Sequence, residues 1–203
     1  LPISVSSVGV NACISISTLS STAVLTVFDN SNSSNYPSAV VSTISGTTVT
    51  NGTAVTLESV GVSTSGFFMG VAAMSSTSGV AVWTRTGDFY GRAVGMTISG
   101  TTITVGTPIT YSAASTTSSS SGAMQPITFD GSSAAYSIYK VSSKTYVNKF
   151  VLSGTSASVA NSQEIFTYNA ISPSIASFSS SAFMVGYGDN SSGTYVSARV
   201  LLT

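Results

Sequence analysis

The sequence predicts an all-β protein, a four-bladed β-propeller of four-stranded antiparallel blades whose ring is closed by the N-terminal strand. Three observations carry that expectation. A block of eight residues returns after 54 positions, branched aliphatic residues alternate with hydroxyl residues, and the last unit lacks a strand that the first residues match.

The repeat is read directly. Thr43-Ile44-Ser45-Gly46-Thr47-Thr48-Val49-Thr50 recurs as Thr97-Ile98-Ser99-Gly100-Thr101-Thr102-Ile103-Thr104, and Gly52-Thr53-Ala54-Val55-Thr56 as Gly106-Thr107-Pro108-Ile109-Thr110. Tyr36 and Tyr90 keep the same offset, and a third Ser-Gly-Thr spans Ser153 to Thr155. Helical solenoids would show a 3.6-residue period, which is missing. A single domain over 1–203 follows, with repeats near 11–59, 60–113, 122–168 and 170–203 plus 1–7.

Each unit divides into strands A to D. In the first, A is near Ile14 to Leu19, B is Ala23 to Phe28, C is Ala39 to Ser45 and D is Thr47 to Leu57, with a break expected at Asn51-Gly52. The Ser-Gly between C and D is a tight hairpin in which glycine supplies the positive φ of a primed turn. In the second unit A is near Phe68 to Met74, B is Val80 to Thr84, C is Ala93 to Ser99 and D is Thr101 to Tyr111. Ser112 to Gly122 is a long polar connection. The third unit runs from about Ala123 to Phe166, with Asp130-Gly131 as its A-to-B turn. The fourth holds only Ser174 to Ser179, Ala182 to Tyr187 and Tyr195 to Thr203. Its missing D strand is matched by Pro2 to Val10, which aligns with Ala54 to Val62. Two rivals to self-closure are donation of that strand to a neighbouring molecule and membership in a larger ring.

Composition excludes several function classes. Ser and Thr supply roughly a third of the chain, while 6% of residues are charged, against about 25% in an ordinary domain. The six basic residues, Arg85, Arg92, Lys140, Lys144, Lys149 and Arg199, are scattered, so no nucleic-acid footprint and no polybasic membrane patch is expected. No apolar run reaches the roughly 20 residues of a spanning helix. Histidine is absent and Cys13 is the single cysteine, which removes His- and Cys-based metal sites and intrachain disulfides. Cys13 and Trp83 read as core residues. Asn32, Asn51 and Asn190 open Asn-x-Ser/Thr triplets.

No catalytic residues, metal or cofactor are expected. A Ser-His-Asp site cannot be built without histidine, and a carboxylate pair could come only from Asp29, Glu58, Asp88, Asp130, Glu164 and Asp189. The candidate ligand-binding residues lie in the B-to-C loops, which mix acid, amide, glycine and an aromatic: Asp29, Asn30, Asn35 and Tyr36 in the first unit, Asp88 and Tyr90 in the second, Tyr146 in the third, and Asp189, Asn190 and Tyr195 in the fourth. Repetition sets these loops on one end of the ring. Aromatic faces beside amides and acids can stack on and hydrogen-bond a sugar, whereas the alternative is Asx turns beside a tyrosine that covers the core edge. Calcium at Asp29 and Asp189 lacks the dense acidic run such a site uses.

The units Ala39 to Thr56 and Ala93 to Thr110 resemble Ser/Thr/Gly-rich β-propeller repeat proteins of bacteriophage virions, of tail, fibre or decoration type, and of bacterial surfaces. The resemblance implies a virion-surface or extracellular location and partnership with other structural proteins of the same assembly. The function expected is a non-enzymatic module, structural or decorating, with recognition of a receptor or cell-surface glycan through the B-to-C loops. The alternatives are a structural subunit that assembles into a polymer and a carbohydrate-active enzyme.

Overall fold

The computed structural model describes residues 10–63, 69–114, 116, 126–142, 144–166, 170–180, 182–189 and 195–202, with the backbone alone for 10–12, 166, 170–172, 189 and 195–202. The chain is all-β and antiparallel. β1 (Val10–Ser20), β2 (Ala23–Asn30), β3 (Tyr36–Ser45) and β4 (Thr48–Asn51) form the first sheet in chain order, and short β5 (Val55–Thr56) also pairs with β3. The second sheet repeats the plan with β6 (Met69–Ser75), β7 (Ser78–Thr84) and β8 (Gly91–Ser99), the last pairing with both β9 (Thr102–Val105) and β10 (Ile109–Ser112). β11 (Ile127–Phe129), β12 (Ala134–Val141), β13 (Lys144–Ser153) and β14 (Ser156–Phe166) make the third. The fourth contains β15 (Ala170–Ser179), β16 (Ala182–Asp189) and β17 (Tyr195–Leu202).

The hairpins form as the sequence predicts. Ser45 pairs with Thr48, Ser99 with Thr102 and Ser153 with Ser156, each across a two-residue turn whose first residue is Gly46, Gly100 or Gly154 at φ 59°. Positive φ at that first position alone is the signature of a type II′ turn, which suits the twist of the flanking strands. The expected break in strand D is also present, at residues 52–54 and 106–108. Its cause lies in the neighbouring sheet. A Cβ on Gly52 would lie 2.6 Å from the Thr101 carbonyl oxygen, and one on Gly106 would lie closer still to that of Thr155. The turn of each following sheet therefore seats on the glycine of the one before. At the corresponding place in the third sheet stands Ala160, and β14 runs unbroken.

Alternation then distributes the side chains among three cores. On the first sheet Leu25, Val27, Ala39 and Val41 point to one side and meet Met69, Val71, Ala81, Trp83, Val94, Met96 and Ile98 of the second. Val80 and Val82, on the opposite face of β7, join Ala72, Ala93 and Tyr111 against Ala135, Tyr139 and Phe150 of the third sheet. The other side of the third sheet presents Ala134, Tyr136, Ile138 and Val147 to Phe183, Val185 and Tyr187 of the fourth. The two middle sheets are thus covered on both faces. Accordingly β7 and β12 are buried almost end to end, whereas β4, where threonine and valine alternate, has every other residue exposed.

Trp83 is in the first of these cores, as read from sequence, and so is Cys13. Extensive contact joins β1 to β6, β6 to β11 and β11 to β15, so the first strands of successive sheets lie side by side. The Ser15 and Ser17 hydroxyls accept from the N–H groups of Val71 and Ala73 at 3.2 and 2.9 Å, satisfying donors on the edge of β6 that no strand pairs. At the third joint the Ser177 hydroxyl donates to the Phe129 carbonyl at 2.5 Å. No comparable contact joins β15 to β1 among the described residues, and no closed ring is present among them. The strand expected to close the ring, Pro2 to Val10, lies outside the described residues up to residue 9, as do residue 115 and residues 117–125 of the polar connection.

Candidate recognition loops

The loop between β2 and β3 is shorter than the sequence predicts, because Asp29 and Asn30 belong to β2. Asp29 is buried, and its carboxylate accepts from the Cys13 N–H at 2.9 Å. That carboxylate ties β1 to β2 inside the sheet. The same burial, with the Asp29 charge adding to it, pushes the Cys13 thiol up to about 12. Asn30 is buried too; its side-chain oxygen accepts from Asn32 N–H at 3.0 Å and caps the 3-10 turn Ser31–Ser33. Ser34 and Asn35 are left-handed, at φ 55° and 59°, and Tyr36 opens β3 half-buried.

In the second loop Asp88 pairs with Arg85 and accepts from the Tyr90 N–H at 3.0 Å. The Arg85 hydrogen bond holds the Asp88 carboxyl below its usual range, against a smaller cost of burial. Glu58, from the segment between the first two sheets, accepts from Nη2 and Nε of Arg92, at 2.7 and 3.3 Å, and lies 3.7 Å from Arg85. Four of the twelve charged side chains are gathered here. Sequence could not show it, since Glu58 and Arg92 are 34 positions apart.

The connecting segment also aligns the two loops. Val62 N–H donates to Asn35 O at 2.8 Å, and Gly61 O accepts from Thr86 N–H at 2.8 Å. The first and second loops therefore stand side by side at one end of the sheets, with half-buried Tyr36 and Tyr90 beside them.

The third unit differs. Val141 pairs with Lys144, so the expected loop is a tight hairpin. Tyr146 stacks on Tyr139 with centroids 5.4 Å apart at 21°, and its hydroxyl donates to Glu164 at 3.5 Å, where Lys144 also bonds at 2.7 Å. In the fourth unit Asp189 and Tyr195 are register partners at the ends of β16 and β17, their side chains undescribed; Asn190 lies outside the described residues. Among the described residues no three acids or cysteines group as a metal site would require, and no helix is long and apolar enough to cross a membrane.

No family model matches the chain, and no curated protein matches it. Among solved structures it is similar to a protein of unknown function from Dyadobacter fermentans, at 13% identity and a TM-score of 0.47. The match covers 89% of this chain and 50% of that one, so the chain spans about half the length of the protein it matches.

Proposed function

We propose that the four sheets are the blades of a β-propeller, and that the protein is a non-enzymatic module of a virion or cell exterior whose loop end recognises a cell-surface glycan. The observation that carries the architecture is the face-to-face series of sheets. Three cores join four sheets in chain order, and a ring needs a fourth core between the last sheet and the first. Phe28 and Val40, on the side of the first sheet turned away from the second, are buried yet belong to none of the three. They are the first sheet's half of that fourth core. Residues Pro2 to Val10 supply the outer strand of the fourth blade and remove its open edge.

The recognition half rests on the loops that the connecting segment sets side by side. Asp29, Asn30 and Asp88 hold the local fold, so the ligand contact falls to the aromatic faces of Tyr36 and Tyr90 with the amides around them. Hydroxyl-rich, charge-poor surfaces support an exterior structural role.

Two measurements test this reading. Amide exchange at Ile3 and Val5 is slow if the N-terminal strand is paired, and exchange at the rate of free peptide removes the ring. On a glycan array the intact chain retains a ligand that Tyr36→Ala and Tyr90→Ala both lose while keeping their circular dichroism. Absence of any retained glycan removes the recognition half.

A further inference from the structure

Asn35 and Phe89 stand at the same point of successive units, 54 positions apart, each immediately before the tyrosine that the repeat keeps. Both have left-handed backbone, at φ 59°. Asparagine enters that region readily, whereas a bulky side chain there crowds the following carbonyl and strains the chain. The backbone of Phe89 has a use. Its carbonyl accepts from the Thr116 N–H at 2.9 Å and from the Thr116 hydroxyl at 3.0 Å, which anchors the connection leaving the second sheet. Asparagine or glycine would present that carbonyl equally well and with less strain. The anchor therefore accounts for the left-handed turn but not for a phenyl ring in it.

Core packing does not account for the ring either. Phe89 is half-buried, belongs to none of the three cores, and makes no ring contact with another aromatic among the described residues. Tyr36 and Tyr90 share all three properties. The bonds from Val62 N–H to Asn35 O and from Thr86 N–H to Gly61 O set the three aromatics at one end of the first two sheets. The charges beside them are matched, Arg85 with Asp88 and Arg92 with Glu58, so the site carries no net charge to draw in an anion. Backbone strain that neither the anchor nor the core explains is found where a side chain must meet a ligand.

We infer that Phe89 is a ligand-contact residue of the loop end, and that the ligand is an uncharged sugar whose C–H face lies on the phenyl ring. The inference rests on the glycan recognition proposed above and adds to it a third aromatic and a class of sugar. A phenyl ring has no hydroxyl, so it offers only its π face and edge, which suits the apolar face of a pyranose. The hydroxyls of Tyr36 and Tyr90 and the amides around them meet the hydroxyls of the same sugar. Sialylated and sulfated glycans bring a charge that Arg85 or Arg92 could meet only by leaving Asp88 or Glu58 unpaired.

Phe89→Asn gives the second loop the residue of the first and separates the two roles of the position. Its thermal midpoint is expected at or above that of the wild type, because strain is relieved, while its retention of a neutral glycan on the array falls by about tenfold or more. A midpoint that drops by several degrees assigns the ring to packing and overturns the inference. Retention that does not fall overturns it too, as does wild-type retention confined to sialylated or sulfated glycans. If Tyr36→Ala and Tyr90→Ala lose the glycan and Phe89→Asn keeps it, the recognition reading stands and only the role of Phe89 falls. A wild type that retains no glycan removes the recognition reading itself, and this inference with it.

Discussion

Thr101 seats its main chain on Gly52, where a Cβ would lie 2.6 Å from the Thr101 carbonyl oxygen, and Thr155 stands in the same relation to Gly106 one repeat later. Neither glycine has positive φ, so contact alone requires it. Gly106→Ala and Gly52→Ala push main chain against main chain and destabilise by about 1–3 kcal/mol each, as overpacking does. Urea unfolding midpoints check this, with unchanged m-values expected.

Ile98 and Ile44 hold equivalent positions in opposite environments. Ile98→Ala opens the core between the first two sheets and costs about 2–5 kcal/mol. Ile44→Ala stays within about 0.5 kcal/mol of wild type, because its side chain is exposed. Equal losses in parallel denaturant titrations would mean that Ile44 is covered as fully as Ile98.

Asp130 gives the fold an acid limit. Its Oδ1 accepts from the N–H groups of Ser132, Ser133 and Ala134 at 2.8, 2.9 and 3.1 Å and from the Ser132 hydroxyl at 3.1 Å. Burial raises its pKa, but these donors together outweigh burial and leave it lowered. A carboxyl depressed on folding contributes stability above its unfolded pKa of about 3.9 and loses it as pH falls through the folded value. Thermal midpoints therefore drop below about pH 4, and Asp130→Asn flattens that part of the curve. An unaltered acid limb in the variant would contradict this.

Cys13 is held in the neutral thiol form to about pH 12, first by burial and then by the Asp29 charge. Thiol reagents at pH 8 accordingly leave the native protein unlabelled, and labelling follows global unfolding. The sign for stability is opposite to that of Asp130. The unfolded thiol ionises above about pH 8.5, so this contribution is complete below that value and declines as pH rises toward the folded one.

The all-β character and the hairpins were legible because their signals are local. Thr48-Val49-Thr50 shows its period in three residues, and Gly46, Gly100 and Gly154 announce their turns by type and spacing. Relationships that pass between sheets were not. The break at Gly52 could be read, but its cause is Thr101, far along the chain and in another sheet. Asp29 and Asn30 carry the signature of a loop, yet they end a buried strand, since an Asx turn and a strand-end cap use the same side chains for the same local bonds. Tyr146 read as a loop aromatic, but Val141 and Lys144 close too tight a hairpin for a loop, and the ring stacks on Tyr139.

What everything else requires is that consecutive sheets pack face to face with their first strands adjacent. The amides of Val71 and Ala73 report on it directly, since their acceptors are hydroxyls of another sheet, Ser15 and Ser17. Hydrogen exchange followed by NMR should find both amides protected in the wild type, with Ala73 released in Ser17→Ala and Val71 in Ser15→Ala. Fast exchange at both positions in the wild type would contradict the packing.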